Sequence, residues 1–520
     1  MHLRPVIASV GLLAGSLVAL SGNTAQAATV RYEAETSPAV CAGAIESNWA
    51  GYSGSGFCNG DNGTGGYAQF TVTASTAGTA TLKVRFANGT TSARAANVVV
   101  NGTTATTASF EGTGAWSTWA TKTLTVPLRS GGNTVRLAPT TSAGLPNIDY
   151  VDVETSGSDP QPTGPVLYVS PSGTDGAAGT ESNPTTLTSA INRVSAGGTI
   201  YLRGGTYRYS QTVTIPAGRN GTSGDRTELF AYPGETPVLN FSAQAEDPAN
   251  RGLAVNASYW HVKGIVVERA GDNGIFLSGS NNVIERTVTR FNRDSGLQLS
   301  RALSSTPKDQ WPSNNLILSA ESHDNVDSDG EDADGFAPKL TVGPGNVFRY
   351  TVAHNNIDDG YDLYTKTDTG PIGAVTIEDS LAYDNGTLSD GSQAGNGDRN
   401  GYKLGGDDIG VNHVVRRSIA YQNGKHGFTY NSNTGAMQIS DNVSVGNEQR
   451  NFNFDSGSTS VFRNNTSCNS GSNDRIIGNS DSSNQFWSGS NGSRCSSYAG
   501  ALRWSFGSDG RLVVTFGGSR

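Results

Sequence analysis

Four aspartates and one lysine carry the most informative chemistry in this 520-residue chain. Asp334 stands apart, Asp358, Asp359 and Asp362 share one short segment, and Lys403 follows further along. If the fold brings the four carboxylates together, they repel one another unless a cation lies between them. An all-oxygen ligand set suits a hard divalent ion, above all Ca²⁺. A lysine beside such an ion has its ammonium form disfavoured, which lowers its pKa toward that of a useful general base.

Bringing these residues together requires a repeating fold, and the sequence contains a repeat. Six similar segments each end in a turn asparagine: Asn292, Asn325, Asn356, Asn385, Asn423 and Asn447, with Asn469 as a candidate seventh. The six lie 33, 31, 29, 38 and 24 residues apart, which indicates a repeat of about 22 to 24 residues with insertions on one side. The pattern predicts a parallel β-helix, in which equivalent residues stack about 4.8 Å apart. The asparagines then form a purely structural ladder.

Each repeat also contributes a strand with a glycine followed by an aromatic or apolar residue, and these strands align into columns. One column is Ser295, Asp334, Asp359, Asn400 and His426, and the next is Gln298, Ala337, Asp362, Lys403 and Thr429. The acids therefore concentrate on two adjacent rungs, and Lys403 lies directly above Asp362. The stacking predicts a calcium site with a lysine one rung away.

Two simpler interpretations compete with this one. The acidic stretch 324–334 could be a solvated turn, as most acidic runs are. Lys403 could pair with Asp362 in a surface salt bridge that contributes little stability. We favour the metal interpretation because acids are absent from the same columns elsewhere, while the glycine and aromatic pattern continues.

Four motifs in this region resemble the pectate lyases of polysaccharide lyase family 9. They are Ala-Asp-Gly-Phe-Ala-Pro-Lys-Leu at 333–340, Gly-Asn-Val-Phe at 345–348, Asp-Asp-Gly-Tyr-Asp-Leu at 358–363 and Asn-Gly-Tyr-Lys-Leu-Gly-Gly at 400–406. The resemblance covers most of 166–520 and implies a right-handed parallel β-helix. It also implies that Asp334, Asp358, Asp359 and Asp362 bind calcium and that Lys403 is the Brønsted base. One departure is the long insertion at 386–399, which leaves the cleft wall there undefined.

The resemblance further implies calcium-assisted β-elimination on polygalacturonate. Lys403 would take the C5 proton, and the C4–O bond would break to leave a 4,5-unsaturated oligogalacturonide. Calcium bridging protein and substrate carboxylates stabilises the developing charge. Cationic side chains are expected to contact the acidic polymer; the candidates are Lys339, Lys366, Arg399 and Lys425. Lys339 is also a second candidate base, ranked lower because Pro338 and the extra residue shift it out of the column of Lys403.

Residues 28–154 alternate polar and apolar positions in short runs separated by turns, which predicts an antiparallel β-sandwich. Tyr-Glu-Ala-Glu at 32–35 and Asn-Ile-Asp-Tyr-Val-Asp at 147–152 resemble family 35 carbohydrate-binding modules and their family 6 relatives, which implies a jelly roll. The implied structural calcium ligands are Glu33, Glu35 and Asp152. The implied sugar-binding residues are Tyr52, Arg94, Trp116 and Asn147. The alternative is that Trp116 or Trp119 belongs to the core.

The remaining segments concern export and domain boundaries. A basic start, an apolar run and small residues indicate a secretory signal at 1–27, so we expect an extracellular protein. The segment 155–165 is rich in Ser, Gly and Pro and is predicted to link the module to a β-helix at 166–520. The four cysteines favour the pairs Cys41–Cys58 and Cys468–Cys495.

Composition and net charge exclude some classes of protein and binding partner. A formal net charge of −9, 16% charged residues and 67 glycines are typical of an all-β, turn-rich protein. They exclude a basic nucleic-acid binder and a polytopic membrane protein. We therefore expect no nucleic-acid or membrane partner. The two resemblances imply that the protein acts on pectate and other uronic-acid-containing plant polysaccharides, and we expect a monomer.

Two rival functions remain open. A β-helical glycoside hydrolase would use Asp358 and Asp359 as acid and base, would not need metal and would form no ultraviolet-absorbing double bond. A non-catalytic, calcium-stabilised carbohydrate-binding β-helix would bind without turnover. A lyase predicts chelator sensitivity, an alkaline optimum and new ultraviolet absorbance.

Overall fold

The structure, a computed structural model, describes residues 28–74, 78–129, 131–155, 164–393, 395–507 and 509–517. The predicted signal at 1–27 and most of the predicted linker lie outside these residues. The regular secondary structure of the described residues is almost entirely β-strand, with one α-helix at Leu187–Arg193 and 3₁₀ helices at Lys308–Gln310 and Ser493–Tyr498. Within these ranges, no helix has the length and apolar character that crossing a membrane requires.

The N-terminal part is a sandwich of two antiparallel sheets. One contains Ala28–Glu33, Gly43–Glu46, Phe57–Gly60, Gly78–Ala87, Ala120–Leu128 and Asn147–Thr155. The other contains Val40–Cys41, Ala68–Ala74, Arg94–Val100, Thr103–Phe110 and Gly131–Pro139. Alternation along the strands buries side chains such as Phe70, Val98 and Phe110 between the sheets. The predicted disulfide between Cys41 and Cys58 is present and joins the two sheets.

The larger part winds into three long parallel sheets, each turn adding one strand to each sheet. Sheet I contains Val166–Val169, Thr199–Leu202, Thr227–Ala231, Trp260–Lys263, Val283–Glu285, Leu316–Leu318, Asn346–Arg349, Val375–Glu378, Val414–Arg416, Gln438–Ser440, Val461–Arg463 and Asn479–Ser480. Sheet II contains Gly205–Arg208, Pro237–Asn240, Val266–Glu268, Val288–Arg290, Glu321–His323, Val352–His354, Leu381–Tyr383, Ile419–Tyr421, Val443–Val445 and Thr466–Cys468. Sheet III contains Val213–Ile215, Leu253–Val255, Ile275–Leu277, Leu297–Leu299, Phe336–Pro338, Tyr361–Asp362, Tyr402–Lys403, His426–Thr429, Arg450–Phe454 and Arg475–Ile476. The prediction of a parallel β-helix is confirmed.

The aromatic residues of sheet III form a continuous stack inside the helix. Successive ring centroids of Phe336, Tyr361, Tyr402, Phe428 and Phe452 lie 5.2, 4.6, 4.6 and 5.1 Å apart. All five side chains are fully buried. Parallel in-register pairing places equivalent residues of successive turns next to one another. The ring stack therefore keeps these strands of sheet III in register.

The predicted asparagine ladder is present, but it ends differently. Each amide from Asn292 to Asn423 donates through Nδ2 to Oδ1 of the next asparagine, at 2.8 to 3.0 Å. Asn447 then donates to Asn451 at 2.7 Å, and the candidate seventh member, Asn469, is exposed and bonds Asn491 instead. The ladder therefore ends at Asn451, which follows Asn447 by only four residues.

The glycines that precede the stacked aromatics are required by this ladder. A Cβ on Gly360 would lie 2.8 Å from Asn385 Nδ2 and 2.7 Å from the carbonyl oxygen of Gly401. A Cβ on Gly401 would meet Asn423 Nδ2 at 2.9 Å. Such contacts are too short for any side chain, so glycine recurs because the backbone packs directly against the ladder.

The C-terminal end is held by the second predicted disulfide and a hairpin. Cys468 at the end of sheet II bonds Cys495 in the last 3₁₀ helix, which confirms that pairing. The antiparallel strands Leu502–Phe506 and Leu512–Phe516 form the hairpin. Phe516 packs against Tyr421 on the outer face of sheet II.

Candidate active site

The predicted register of sheet III is confirmed strand by strand. Asp362 pairs with Lys403, Lys403 pairs with Thr429, and Gln298 pairs with Ala337. The neighbouring column is tied by backbone bonds from the glycine of each rung to the residue predicted to lie on the next. These bonds run from Gly296 to Asp334, Gly335 to Asp359, Gly360 to Asn400 and Gly401 to His426, at 2.8 to 2.9 Å. The two acid-bearing rungs are therefore adjacent, as the sequence indicated.

Three of the four predicted carboxylates converge. Asp334, Asp358 and Asp359 are buried, and each contributes an oxygen within 4.8 Å of the other two. Calcium binds oxygen at about 2.3 to 2.6 Å, so oxygens at this separation can share one ion. Asp359 Oδ2 is buried and accepts no hydrogen bond, although its partner oxygen accepts from Asn400 Nδ2 at 3.0 Å. Asp359 Oδ2 faces the Lys403 ammonium at 3.3 Å without a hydrogen bond. The all-carboxylate donor set fits a hard divalent cation.

The pKa values of the three converging carboxylates show that their ionised forms are unfavourable at this position. Burial raises the pKa of Asp334 and Asp358 well above the usual range, and neighbouring carboxylates add to the effect. Burial likewise raises the pKa of Asp359 to about 6. The anionic forms are disfavoured mainly because burial removes their hydration, which the nearby lysine ammonium groups only partly offset. A cation would favour the ionised forms, since it offsets the repulsion among them.

Asp362, the fourth predicted ligand, lies beside this group and not within it. Its Oδ1 accepts the backbone N–H of Tyr364 at 2.9 Å. Its Oδ2 lies 3.4 Å from Lys339 Nζ and 3.8 Å from Lys403 Nζ. Asp362 therefore lies between two ammonium groups, each of which also contacts one of the converging carboxylates.

Lys403 is nearly buried among acids. Its Nζ lies 3.3 Å from Asp359 Oδ2 and 3.1 Å from Asp398 Oδ2, and 13% of its side chain is exposed. Burial favours its neutral amine, but the charges of Asp362 and Asp359 outweigh burial and hold the pKa of Lys403 well above its ordinary value. Any cation that takes over the charge of these carboxylates shifts this balance toward the amine.

Lys339, the second candidate base, is held more tightly. Its Nζ donates to Asp334 Oδ2 at 2.7 Å, and the residue is buried. Burial opposes its charge, but Asp334 and Asp362 raise the pKa of Lys339 well above the ordinary lysine value. Lys339 therefore serves the structure as the counter-charge of a fully buried carboxylate.

The insertion at 386–399 contributes a residue that sequence reasoning missed. Asp398 lies 3.1 Å from Lys403 Nζ and 2.6 Å from Lys425 Nζ. Its backbone N–H donates to Asp358 Oδ1, as does that of Arg399 at 3.2 Å. The available signal was position alone, since Asp398 lies two residues before Asn400 at the start of the lysine-bearing strand.

The other cationic residues predicted to contact the polymer differ in how close they lie to the acids. Lys425 is bound to Asp398, next to the acids, and Arg399 lies 3.7 Å from Glu448. Lys366 has 53% of its side chain exposed and lies 3.9 Å from Asp368. Lys425 and Arg399 therefore border the site, while Lys366 extends into solvent.

In the sandwich, the predicted calcium ligands do not all meet. Asp152 pairs with Arg31 at 2.8 and 2.9 Å. The acid near Glu33 and Glu35 is instead Asp149: Ser53 bonds both Glu33 and Asp149, and Glu35 Oε2 is buried without a partner. Asp152 thus forms an ion pair with Arg31, and a β-bulge between Ile148 and Val151 interrupts the alternation of the last strand between Asp149 and Asp152.

The predicted sugar-binding residues of the sandwich form two groups. The Arg94 guanidinium lies 5.3 Å from the Trp116 ring and donates to the Leu145 carbonyl at 2.7 Å, and Asn147 is buried nearby in sequence. Tyr52 and Trp119 both contact the buried ring of Phe57, at 5.8 and 5.3 Å. Trp119 thus packs against the core, whereas Trp116 packs against a cationic side chain.

Fold and site define a class: a parallel β-helix with three converging buried carboxylates and a lysine on the adjoining rung, preceded by a β-sandwich module. Residues 167–469 match the family described as the Pel9A-like, right-handed β-helix region, and the chain belongs to that family. Residues 34–155 match carbohydrate-binding module family 6. The predicted right-handed β-helix with its preceding sandwich is thereby confirmed.

Individual proteins and a solved structure show the same similarity as the family match. The chain is 54% identical over 323 residues to pectate lyase L of Paenibacillus polymyxa (strain SC2), covering 62% of this chain and 72% of that protein. It is 44% identical over 292 residues to pectate lyase L of Thermoclostridium stercorarium, covering 56% of this chain but only 23% of that longer protein. The crystal structure of pectate lyase Pel9A superposes with a TM-score of 0.57 at 32% identity, covering 65% of this chain and 83% of Pel9A.

Proposed function

We propose that this protein is a pectate lyase that cleaves polygalacturonate by β-elimination and releases 4,5-unsaturated oligogalacturonides. The observation that carries the proposal is the register of Asp362 and Lys403, which puts one amine beside the converging carboxylates of two adjacent rungs. The names of the relatives and the family membership support the same activity.

The acids are the proposed calcium ligands. Asp334, Asp358 and Asp359 would hold the ion, with Asp362 as the predicted fourth ligand beside them. When bound, calcium would neutralise the carboxylates that favour the ammonium form of Lys403 and would polarise the uronate carboxylate of the substrate. The all-carboxylate ligand set and the convergence of its oxygens within 4.8 Å support this assignment.

Lys403 is the proposed base. Its neutral amine would accept the C5 proton of a galacturonate unit, and the released electron pair would form the C4–C5 double bond. The C4–O bond would then break, and the departing oxygen would take a proton from solvent. Burial favours the amine form of Lys403, whereas the neighbouring aspartates hold its pKa well above the ordinary lysine value, so the proposed base depends on calcium to offset their charge. Its side chain keeps 13% exposure through which a sugar ring can approach.

Cationic residues around the acids are proposed to receive other carboxylates of the polymer. Lys425 and Arg399 border the site, and Lys366 reaches into solvent near Asp368. Lys339 is proposed to act through Asp334 and Asp362, because its ammonium is enclosed by them.

The sandwich is proposed to bind uronic-acid-containing sugars through Arg94 and Trp116, with Tyr52 and Asn147 as further contacts. Glu33 and Glu35, with Asp149, are proposed to hold a structural calcium; the buried, unpartnered Glu35 Oε2 supports this. Secretion of a monomer, with a signal at 1–27 and domains at 28–154 and 166–520, remains our proposal. The two disulfides support an oxidising, extracellular location.

One assay tests the activity. Polygalacturonate is incubated with the purified protein and calcium, and the unsaturated product is followed by its ultraviolet absorbance, with and without chelator. A lyase gives absorbance that chelator abolishes and calcium restores. Reducing ends without absorbance, insensitive to chelator, would instead support a hydrolase that uses Asp358 and Asp359. Binding without any new product would support a non-catalytic protein.

A further inference from the structure

Asp398 connects three parts of the site, although it lies in the insertion and not on a rung. Its two carboxylate oxygens contact different lysines: Oδ2 lies 3.1 Å from Lys403 Nζ, and Oδ1 lies 2.6 Å from Lys425 Nζ. Its N–H donates to Asp358 Oδ1. Among the acids around Lys403, Asp398 is the nearest, since Asp359 and Asp362 lie at 3.3 and 3.8 Å.

The three acids around Lys403 differ in what else they serve. Asp359 belongs to the converging carboxylates, and Asp362 also faces Lys339. Asp398 belongs to neither set, and 39% of its side chain is exposed. A cation held by the buried acids would reduce the pull of Asp359 and Asp362 on Lys403. The contact with Asp398 would persist because its carboxylate lies outside that group.

The insertion is built to hold Asp398 in place. A Cβ on Gly397 would lie 2.9 Å from Asp358 Oδ1 and 3.0 Å from the Gly330 carbonyl oxygen, so the chain passes directly against the acids. Asn396 Nδ2 donates to the Asp329 carbonyl at 3.0 Å. Lys425 then fixes the second carboxylate oxygen. Backbone and side chain of Asp398 are both anchored, which is what a positioning group needs.

We propose that Asp398 is the positioning residue of the base, an inference that depends on the proposed role of Lys403. Asp398 holds the Lys403 amine in place beside the converging carboxylates, and Lys425 orients the Asp398 carboxylate for this task. The function of Lys425 is therefore shared between the polymer and Asp398. A displacement of about 1 Å in a reacting group is enough to reduce turnover by about a hundredfold.

The kinetic test compares D398A, D398N and K425M with wild type on polygalacturonate at saturating calcium. D398A should lower kcat by about tenfold to a hundredfold while KM changes less than about twofold. D398N, whose amide oxygen still accepts from Lys403, should recover part of the loss. K425M should have a smaller effect, and the double variant D398A/K425M should be no slower than D398A, because both act through one contact. The matched control is D390A, an exposed aspartate of the same insertion that bonds only Ser392 locally.

A structural readout separates this inference from the proposed activity. Crystal structures of wild type and D398A, each soaked with calcium, should show Lys403 Nζ in contact with Asp398 in the former and displaced in the latter. If wild type makes no unsaturated product, the lyase proposal fails, yet the crystal comparison still decides whether Asp398 positions Lys403. An unchanged Lys403 in D398A, or an unchanged kcat, overturns the inference. So does a variant whose only defect is weaker calcium binding.

Discussion

Asp362 and Lys403 are paired residues on neighbouring strands of sheet III, and Lys403 Nζ lies 3.8 Å from Asp362 Oδ2. Strand pairing, not chain flexibility, therefore sets the distance between the acidic rungs and the amine. The rungs from Phe336 to Phe452 are packed by buried rings stacked 4.6 to 5.2 Å apart. The site is therefore built on paired strands with a closely packed interior.

Replacement of Lys403 by alanine removes the proposed base. We expect turnover of polygalacturonate to fall by about a hundredfold to ten-thousandfold, the range typical of a general base. Binding of calcium and of polymer should be retained, since neither needs the amine. Ultraviolet progress curves measure the first effect and titration calorimetry the second. K403A with wild-type turnover would return the assignment to Lys339.

Replacement of Lys339 by alanine should act on stability. Its ammonium lies 2.7 Å from the fully buried Asp334, and removing one partner of a buried ion pair costs about 3–5 kcal/mol. Denaturant unfolding in chelator measures this loss in free energy of unfolding. The matched control is K366A, whose side chain is 53% exposed and which should change stability by less than about 0.5 kcal/mol. A K339A protein as stable as wild type, but inactive, would contradict the structural role.

Periodic features were the ones that the sequence could predict. Stacking columns, the acid-bearing rungs and the pairing of Asp362 with Lys403 follow from a repeat in which each residue has an equivalent one turn away. The ladder from Asn292 to Asn447 follows for the same reason. Both disulfides followed from the grouping of cysteines into two close pairs.

Features that break the repeat were not predictable. Asp398 lies in an insertion without an equivalent on other turns, so no column contained it. The ladder ends on Asn451 because the chain shortens the last step to four residues. In the sandwich, a bulge beside Asp149 changes which acid faces Glu33, and bulges leave no reliable mark in alternation patterns.

Calcium binding should depend on the converging carboxylates. In wild type, calcium at a hundred times its dissociation constant should stabilise the fold by about 2.7 kcal/mol. D359N, which replaces a buried anionic ligand by an amide, should lose most of this increment. D368N, at an exposed aspartate with 80% of its side chain accessible, should keep it. Thermal unfolding with and without calcium provides the comparison, and equal increments in all three proteins would refute the site.

The asparagine ladder should be stabilising in its interior and dispensable beyond its end. N385A removes the Oδ1 atom that accepts from the Asn356 backbone N–H at 3.3 Å and from Asn356 Nδ2 at 3.0 Å, and it removes the side-chain donor to Asn423 Oδ1 at 2.9 Å. Each buried unsatisfied group costs about 1–3 kcal/mol. N469A, at an exposed asparagine, should cost less than about 0.5 kcal/mol. Similar losses for the two variants in denaturant unfolding would mean that the ladder carries no special stability.

His413 should make the fold sensitive to acid. Its ring is fully buried, Nδ1 accepts the Val375 N–H at 3.1 Å, and Nε2 has no partner. Burial lowers the pKa of His413 to about 3, whereas an unfolded histidine titrates near pH 6.5. Between these values the unfolded chain binds the extra proton, so stability falls by about 1.4 kcal/mol per pH unit as pH decreases.

H413N, which can still accept from Val375, should lose this component, and its free energy of unfolding should decline less steeply than that of wild type between pH 6.5 and pH 4. Carboxylates titrate in both proteins, so the difference between the two curves isolates the contribution of His413. Parallel curves would show that His413 takes up its proton equally in the folded and unfolded states.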